Sequence, residues 1–188
     1  MKLVVPGAEQ YDPVENLFYT TKDTTLVLEH SLLSISKWES KWKVPYIATS
    51  AAGMTRAQFQ DYVRCMTISQ NIDPLVYSAI TPENQKEIVD YIGDSMSATT
   101  INKQNIPKGG PGSGGKKGQI ITSELVYYWM TALNIPFECQ KWHFNRLMTL
   151  IQVASIEQQP PKQMSKRDIM KQNKALNAAR RAKLHSKG

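Results

Sequence analysis

A glycine-rich stretch holds the residues whose spacing comes nearest to a chemical site. Gly110, four spacers, Gly115 and Lys116 reproduce the spacing of a phosphate-binding P-loop up to its last position. That position needs a Ser or Thr hydroxyl for Mg²⁺, but the chain has Lys117 there. A P-loop also follows a buried strand, whereas the preceding residues are polar and include Pro107. We interpret the stretch as a flexible loop and expect no nucleotide or other cofactor.

Cys139 and His143 form the one close pair of metal-ligating or nucleophilic side chains. Because they are four residues apart in a segment predicted to be helical, they would share a face. Two donors fall short of the four that structural zinc requires. A catalytic thiolate would have to be exposed and activated, and the context of Cys139 is apolar. No pair of carboxylates stands out for acid–base chemistry, so we predict neither a metal site nor an enzyme.

The charge of the chain is unevenly distributed. The 188 residues carry a formal net charge of +7, but residues 162–188 contain nine basic residues against the single acid Asp168. Residues 1–161 are therefore close to neutral, and any electrostatic function belongs to the C-terminal arm. No apolar run reaches the roughly 20 residues that span a bilayer, and the N-terminus turns polar too early for a signal peptide. We expect a cytosolic protein without a membrane partner.

The N-terminal thirty residues predict a small antiparallel β element. Residues 2–5, 16–20 and the stretch from residue 24 are rich in Val, Leu, Phe, Tyr and Thr. The polar residues 21–23 separate the last two runs, which is typical of a hairpin turn.

From residue 31 onward the apolar spacing predicts helices. Thr55 and Thr81 are expected N-caps, and Pro82 suits the first position of a helix. Thr122 or Ser123 is expected to cap a second helical region, which Pro136 divides into a central helical hairpin. The predicted segments are 31–42, 55–68, 73–80, 82–92, 123–135, 136–155 and 166–183.

These elements predict an α+β fold that is mainly α. The expected organisation is an N-terminal β element in residues 1–30, a helical core in 31–159 and a basic helical arm in 160–188 that follows Pro160 and Pro161. Residues 93–118 lack periodicity and are predicted to form a flexible loop inside the core.

Aromatic residues are the first candidates for binding a partner. Aromatic blocks are more often core than surface, but aromatics also dominate the centres of protein interfaces. The candidate residues are Trp38, Trp42, Tyr127, Tyr128, Trp129 and Trp142.

The basic arm supplies the second set of candidates. Its cations could attract nucleic acid, its helix could dock on a protein, or it could be a solvated tail. We favour a protein partner slightly over a solvated tail and place nucleic acid third, since the arm has no aromatic residue for base stacking. The candidate residues are Lys166, Arg167, Lys174, Arg180 and Arg181.

Three stretches carry a resemblance to a known family. They read LEHSLLSISKWESKWKVPY at 28–46, ITSELVYYWMTALNIPFECQKWHFNRLMTLI at 121–151, and MSKRDIMKQNKALNAARRAKLHSKG at 164–188. Together they resemble the tail assembly chaperones encoded in the tail-gene region of long-tailed bacteriophages, and the likeness extends over nearly the whole chain.

The resemblance implies a non-enzymatic, mostly helical protein of the host cytoplasm. Such a protein binds the aggregation-prone tape measure protein, keeps it soluble and helps to recruit tail tube subunits. Two other functions stay open: a structural protein of the tail or head–tail region of the virion, and a nucleic-acid-binding protein that acts through its basic arm. Self-association also stays open, and the resemblance supplies no catalytic or metal-binding residue.

Overall fold

The computed structural model describes residues 1–12, 16–49, 53–102, 106, 109–111, 119–158 and 166–184. Contacts divide the chain into two compact units, Met1–Glu157 and Gln158–Gly188. Among the described residues, the first unit combines a β ribbon with five α-helices, and the second contains one long helix. The predicted fold class, α+β and mainly α, is confirmed.

The N-terminal residues form a long two-stranded antiparallel ribbon. Strands β1 (Lys2–Val5) and β4 (Thr24–Val27) pair in one part, and β2 (Glu9–Asp12) and β3 (Leu17–Thr20) pair in the other. Both parts keep the same register, and the amide of Thr21 donates to the carbonyl of Ala8 between them at 2.9 Å. The predicted pairing of residues 16–20 with the strand from residue 24 is therefore wrong. Residues 21–23 join two consecutive strands on the same side of the ribbon.

Gly7 allows the two sides of the ribbon to come together at this junction. A Cβ atom at Gly7 would lie 2.5 Å from the carbonyl oxygen of Thr21, which is closer than real Cβ contacts. The amide of Gly7 also donates to the Asp23 carboxylate at 2.7 Å. The ribbon is thus continuous across the 21–23 segment because one side has no side chain there.

The period-two pattern of β1 anchors the ribbon to the helices. Leu3 and Val5 are buried on one face, while Val4 on the other face is exposed. The Asn84 side chain donates to the Val4 carbonyl at 3.1 Å and ties the ribbon to a helix.

Three helices begin with capping boxes, two of them at the predicted caps Thr55 and Thr81. Helix α1 (Leu32–Trp42) is capped by Ser31, α2 (Arg56–Met66) by Thr55 and α3 (Pro82–Gly93) by Thr81. In each cap the hydroxyl accepts the N3 amide and the N3 side chain accepts the N-cap amide, so two backbone donors gain partners. A short 3₁₀ helix, Pro74–Ala79, precedes α3. These four predicted segments are confirmed.

The region after Pro136 differs from the predicted continuous helix. Helix α4 (Ser123–Ala132) is followed by a 3₁₀ helix, Phe137–Lys141, and then by α5 (Phe144–Glu157). Cys139 and His143 consequently do not share one α-helix, and Phe137, at the start of the 3₁₀ helix, is 54% exposed.

Helix α1 is the centre of the packing. It contacts α2, α4 and the 137–141 segment, and its residues Leu32, Ile35 and Trp38 are fully buried. The fully buried residues around it include Leu28, Leu32, Ile35, Trp38, Tyr62, Met66, Met130, Leu147 and Ile151. Burial of this apolar surface is the main driving force for folding the first unit.

In the second unit, residues 166–184 form helix α6 (Lys166–Leu184), and every side chain that the structure describes in this helix is exposed. Within the described ranges, no helix is both long enough and apolar enough to cross a membrane. The predicted loop 93–118 has no helix or strand among its described residues after Gly93, and Gly115, Lys116 and Lys117 of the P-loop-like stretch lie outside them.

Candidate partner-binding site

Three of the six candidate aromatic residues belong largely to the core. Trp38 is fully buried, and its indole Nε1 donates to the Gln58 carbonyl at 2.9 Å. Trp129 is 4% exposed. Trp42 is half-buried, and its Nε1 donates to Asp61 at 2.8 Å, while the same carboxylate pairs with Lys41. A partner cannot contact Trp38 or Trp129 without opening the first unit.

The other three aromatic candidates lie nearer to solvent. Tyr128 is 67% exposed, and Trp142 is 37% exposed with the Arg146 guanidinium 4.5 Å from its ring centre. The Tyr127 hydroxyl donates to the Gln140 side chain at 2.9 Å. Tyr128 and Trp142 are therefore the members of this set that a partner could reach.

Two histidines that are far apart in the sequence meet in the core. The rings of His30 and His143 are 5.1 Å apart, because Ser31 forms a β-bridge with His143 and the Phe144 amide donates to the His30 carbonyl. His30 Nδ1 hydrogen-bonds the Tyr62 hydroxyl. His143 Nε2 donates to the Tyr91 carbonyl at 3.1 Å. The sequence offered no signal for this meeting, since the contacts are not local.

The described side chains around the buried histidines do not supply a third metal ligand. Among the described residues, no three or more His, Cys, Asp or Glu side chains are grouped as ligands. Cys139 is 5% exposed, and burial, with the nearby Glu138 carboxylate, raises the pKa of its thiol. A raised pKa disfavours the thiolate that nucleophilic chemistry would need.

A half-open cavity of about 210 Å³ lies beside this cluster. Apolar and aromatic side chains of α2, α3, α5 and the segment after α1 line most of it, and the buried His30 and Tyr62 contribute polar groups. Val89 lines it and is itself 38% exposed. The lining residues are His30, Tyr46, Ile47, Thr49, Met54, Phe59, Tyr62, Val89, Ile92, Phe144 and Asn145. No local signal in the sequence predicts that these elements surround one cavity.

Burial sets the protonation of the polar groups in the cavity. It lowers the pKa of His30 to about 3, and the neighbouring His143 adds to that shift. It raises the pKa of Tyr46 to about 12, and it also raises that of Tyr62. At neutral pH the cavity is therefore lined by uncharged groups, which suits an apolar occupant.

Acid should destabilise the protein through His30. Below pH 6.5 the unfolded chain binds a proton at this histidine while the folded chain does not until about pH 3. His30 then lowers the free energy of unfolding by up to about 1.4 kcal/mol per pH unit. Urea denaturation between these pH values should show that the free energy of unfolding falls more steeply with decreasing pH for the wild type than for His30→Gln. Carboxylates titrate in both proteins, so equal slopes would contradict the assignment.

Glu39 is a structural residue that the sequence did not single out. Its carboxylate is buried and accepts the Tyr46 amide and the Ser123 amide, each at 2.8 Å. Thr122, one of the two residues predicted as the N-cap of α4, makes no side-chain cap hydrogen bond. A carboxylate from α1 therefore caps α4 across 84 residues of sequence.

The basic candidates occupy α6. The side chains of Arg167, Lys174, Arg180 and Arg181 are exposed, whereas the Lys166 side chain lies outside the described set. Comparisons of the chain with protein-family models, curated proteins and solved structures find no match.

Proposed function

We propose that this protein is a non-enzymatic tail assembly factor of a long-tailed bacteriophage, which binds the tape measure protein in the host cytoplasm. It keeps that protein soluble and helps to recruit tail tube subunits around it. The proposal is supported by the resemblance of residues 28–46, 121–151 and 164–188 to tail assembly chaperones. Those stretches include all of α1, α4 and α6 and more than half of α5.

The half-open cavity is the observation that carries the proposal. Its volume of about 210 Å³ exceeds the roughly 150 Å³ in which a benzene ring binds. One large apolar side chain of a partner can therefore enter it. An amphipathic helix presents such anchors at regular spacing, and a chaperone of a long helical rod has to bind them.

The lining of the cavity suits apolar side chains of several different shapes from a partner helix. Met54 is flexible and polarizable, so it adapts to side chains of different shape. Phe59 and Phe144 offer aromatic surface on other sides of the cavity. The resulting site selects for apolar character and size, which a protein that binds repeatedly along one rod requires.

Blocking the cavity should abolish binding without unfolding the protein. Val89→Arg places a long cation at the cavity and, because Val89 is 38% exposed, should change the free energy of unfolding by less than about 1 kcal/mol. Val27→Arg is the matched control, since Val27 is 36% exposed and does not line the cavity. The measurement is the soluble fraction of the tape measure protein after co-expression with each variant, together with its co-purification.

The expected result is soluble complex with the wild type and with Val27→Arg, and loss of complex with Val89→Arg. Failure of the wild-type protein to bind or solubilise the tape measure protein would reject the proposed function. Equal binding by both variants would reject the cavity as the site. Mass spectrometry of purified virions adds a separate criterion, because a chaperone is released, whereas a structural tail protein is found in stoichiometric amount.

A further inference from the structure

Helix α6 is a long cationic helix whose described side chains are all in solvent. Its nineteen residues extend over about 28 Å. Residues 166–184 include seven basic residues and the single acid Asp168. The described basic side chains are Arg167, Lys171, Lys174, Arg180, Arg181 and Lys183. This density of charge is complementary to a polyanion.

One face of α6 combines amide and cationic side chains. Asn173 and Asn177 are one turn apart and therefore lie above one another on the helix. A shallow groove on this face is lined by Met170, Asn173, Lys174, Asn177, Ala178 and Arg181. Successive residues are about 100° apart, so Arg180 borders the two amides on the side opposite to Lys174 and Arg181. The face thus has hydrogen-bonding amides in the middle and cations along both edges.

The apolar seam of the same helix is too weak for a helical protein partner. Ile169 and Leu176 are seven residues apart and would occupy equivalent positions of a heptad. The intervening and following seam positions hold Asn173, Arg180 and Lys183. Three of the five positions that should be buried against a partner helix are therefore polar or charged. Burial of apolar surface would contribute little to such a complex.

We propose that α6 binds duplex DNA, with the Asn173 and Asn177 face in the major groove. The groove is about 12 Å wide and admits an α-helix, and Asn side chains can bond the N6 and N7 positions of adenine. The flanking Arg and Lys side chains reach the phosphates of both strands. α6 contains no aromatic residue, so stacking on single-stranded bases is not available to it. The inference stands independently of tape measure binding.

The dependence of binding on salt tests the phosphate contacts. Fluorescence anisotropy of the full-length protein with a labelled duplex of about 20 base pairs should give log K against log salt with a slope of about −4 to −5, if five of the six described cations contact phosphate. Arg180→Glu/Arg181→Glu should weaken binding more than about tenfold and reduce the slope by about 2. Lys174→Gln, which removes one flanking cation, should reduce the slope by about 1.

The matched control reverses two charges on the other unit. Lys86 and Lys141 are exposed and lie outside α6, and Lys86→Glu/Lys141→Glu changes the net charge by the same amount as the Arg180/Arg181 variant. This control should bind DNA with the wild-type slope. Far-UV circular dichroism of each variant checks that the helices are retained. Equal weakening by the control, or wild-type binding that does not depend on salt, would overturn the proposal.

Competition and base preference separate groove binding from general attraction to anions. Polyglutamate of matched charge should displace the duplex poorly, and equally good displacement would assign α6 to acidic proteins instead. Asn173→Ala/Asn177→Ala should keep the salt slope but lose preference among duplexes that differ at adenine positions. A wild-type protein that shows no such preference would overturn the placement of this face in the major groove.

Discussion

Replacing Trp38 with alanine is expected to lower the free energy of unfolding by about 3 to 5 kcal/mol. The indole is fully buried in α1 and lies edge-on to Tyr46 and Tyr62, with ring centres 5.6 and 6.4 Å away. Those two tyrosines stack on each other with ring centres 4.1 Å apart. Removal of the indole leaves a cavity at the point where α1, α2 and the segment after α1 meet, and the surrounding rings can refill it only in part.

The loss should come from packing more than from the indole hydrogen bond. Trp38 Nε1 donates to the Gln58 carbonyl in the first turn of α2, and carbonyls in a helix also accept the amide four residues on. Trp38→Phe, which keeps an aromatic ring but not the donor, should therefore cost less than half as much as Trp38→Ala. Urea denaturation followed by circular dichroism measures both changes.

Trp142→Ala is the matched control for this substitution. It removes the same side chain from a position that is 37% exposed and packed mainly beside Arg146. The free energy of unfolding of Trp142→Ala should fall by less than about 1.5 kcal/mol, since less buried apolar surface is lost than at Trp38. Similar losses for Trp38→Ala and Trp142→Ala would show that α1 is not the centre of the core.

Local signals in the sequence predicted the helices before residue 93 well. Thr55 and Thr81 stand three residues before Gln58 and Asn84, and the hydroxyl and side-chain acceptor of each pair complete a cap without help from the rest of the fold. The bounds of α2 and α3 are therefore readable from a few adjacent residues. The same holds for Pro74 and Pro82, whose fixed φ suits the first position of a helix.

Which strands pair, and which side chains of a helix are buried, depends on contacts between distant residues that no local sequence signal contains. Residues 21–23 have the composition of a turn, but the register of the ribbon makes them a junction between strands that pair with β1 and β2. Tyr128 and Trp129 are adjacent in an apolar helix, and only the position of α1 decides that Trp129 is buried and Tyr128 exposed. The cavity likewise depends on non-local contacts, because His30, the segment after α1, α2, α3 and α5 all contribute to its lining.

Glu39→Ala is expected to cost about 2 to 6 kcal/mol, because it removes the acceptor of two backbone amides, each worth about 1 to 3 kcal/mol when left unsatisfied. The Tyr46 and Ser123 amides both lie 2.8 Å from its carboxylate oxygens. Ser123 is fully buried, so water cannot readily replace the lost acceptor at the start of α4. The negative charge of Glu39 is also attracted to the positive N-terminal end of the α4 dipole, and alanine removes that attraction as well.

Glu39→Gln removes the negative charge and one of the two acceptor oxygens of the carboxylate. Glutamine keeps the shape and one acceptor oxygen but presents an NH₂ group to the second amide, so it should cost roughly half as much as alanine. Glu87→Ala is the control, because Glu87 is exposed in α3 and its loss should stay within about 0.5 kcal/mol. Hydrogen exchange provides the local readout: the Ser123 and Tyr46 amides should exchange faster in both Glu39 variants. If Glu39→Ala matched the Glu87 control in urea and in exchange, α4 would have to be held by apolar packing against α1 alone.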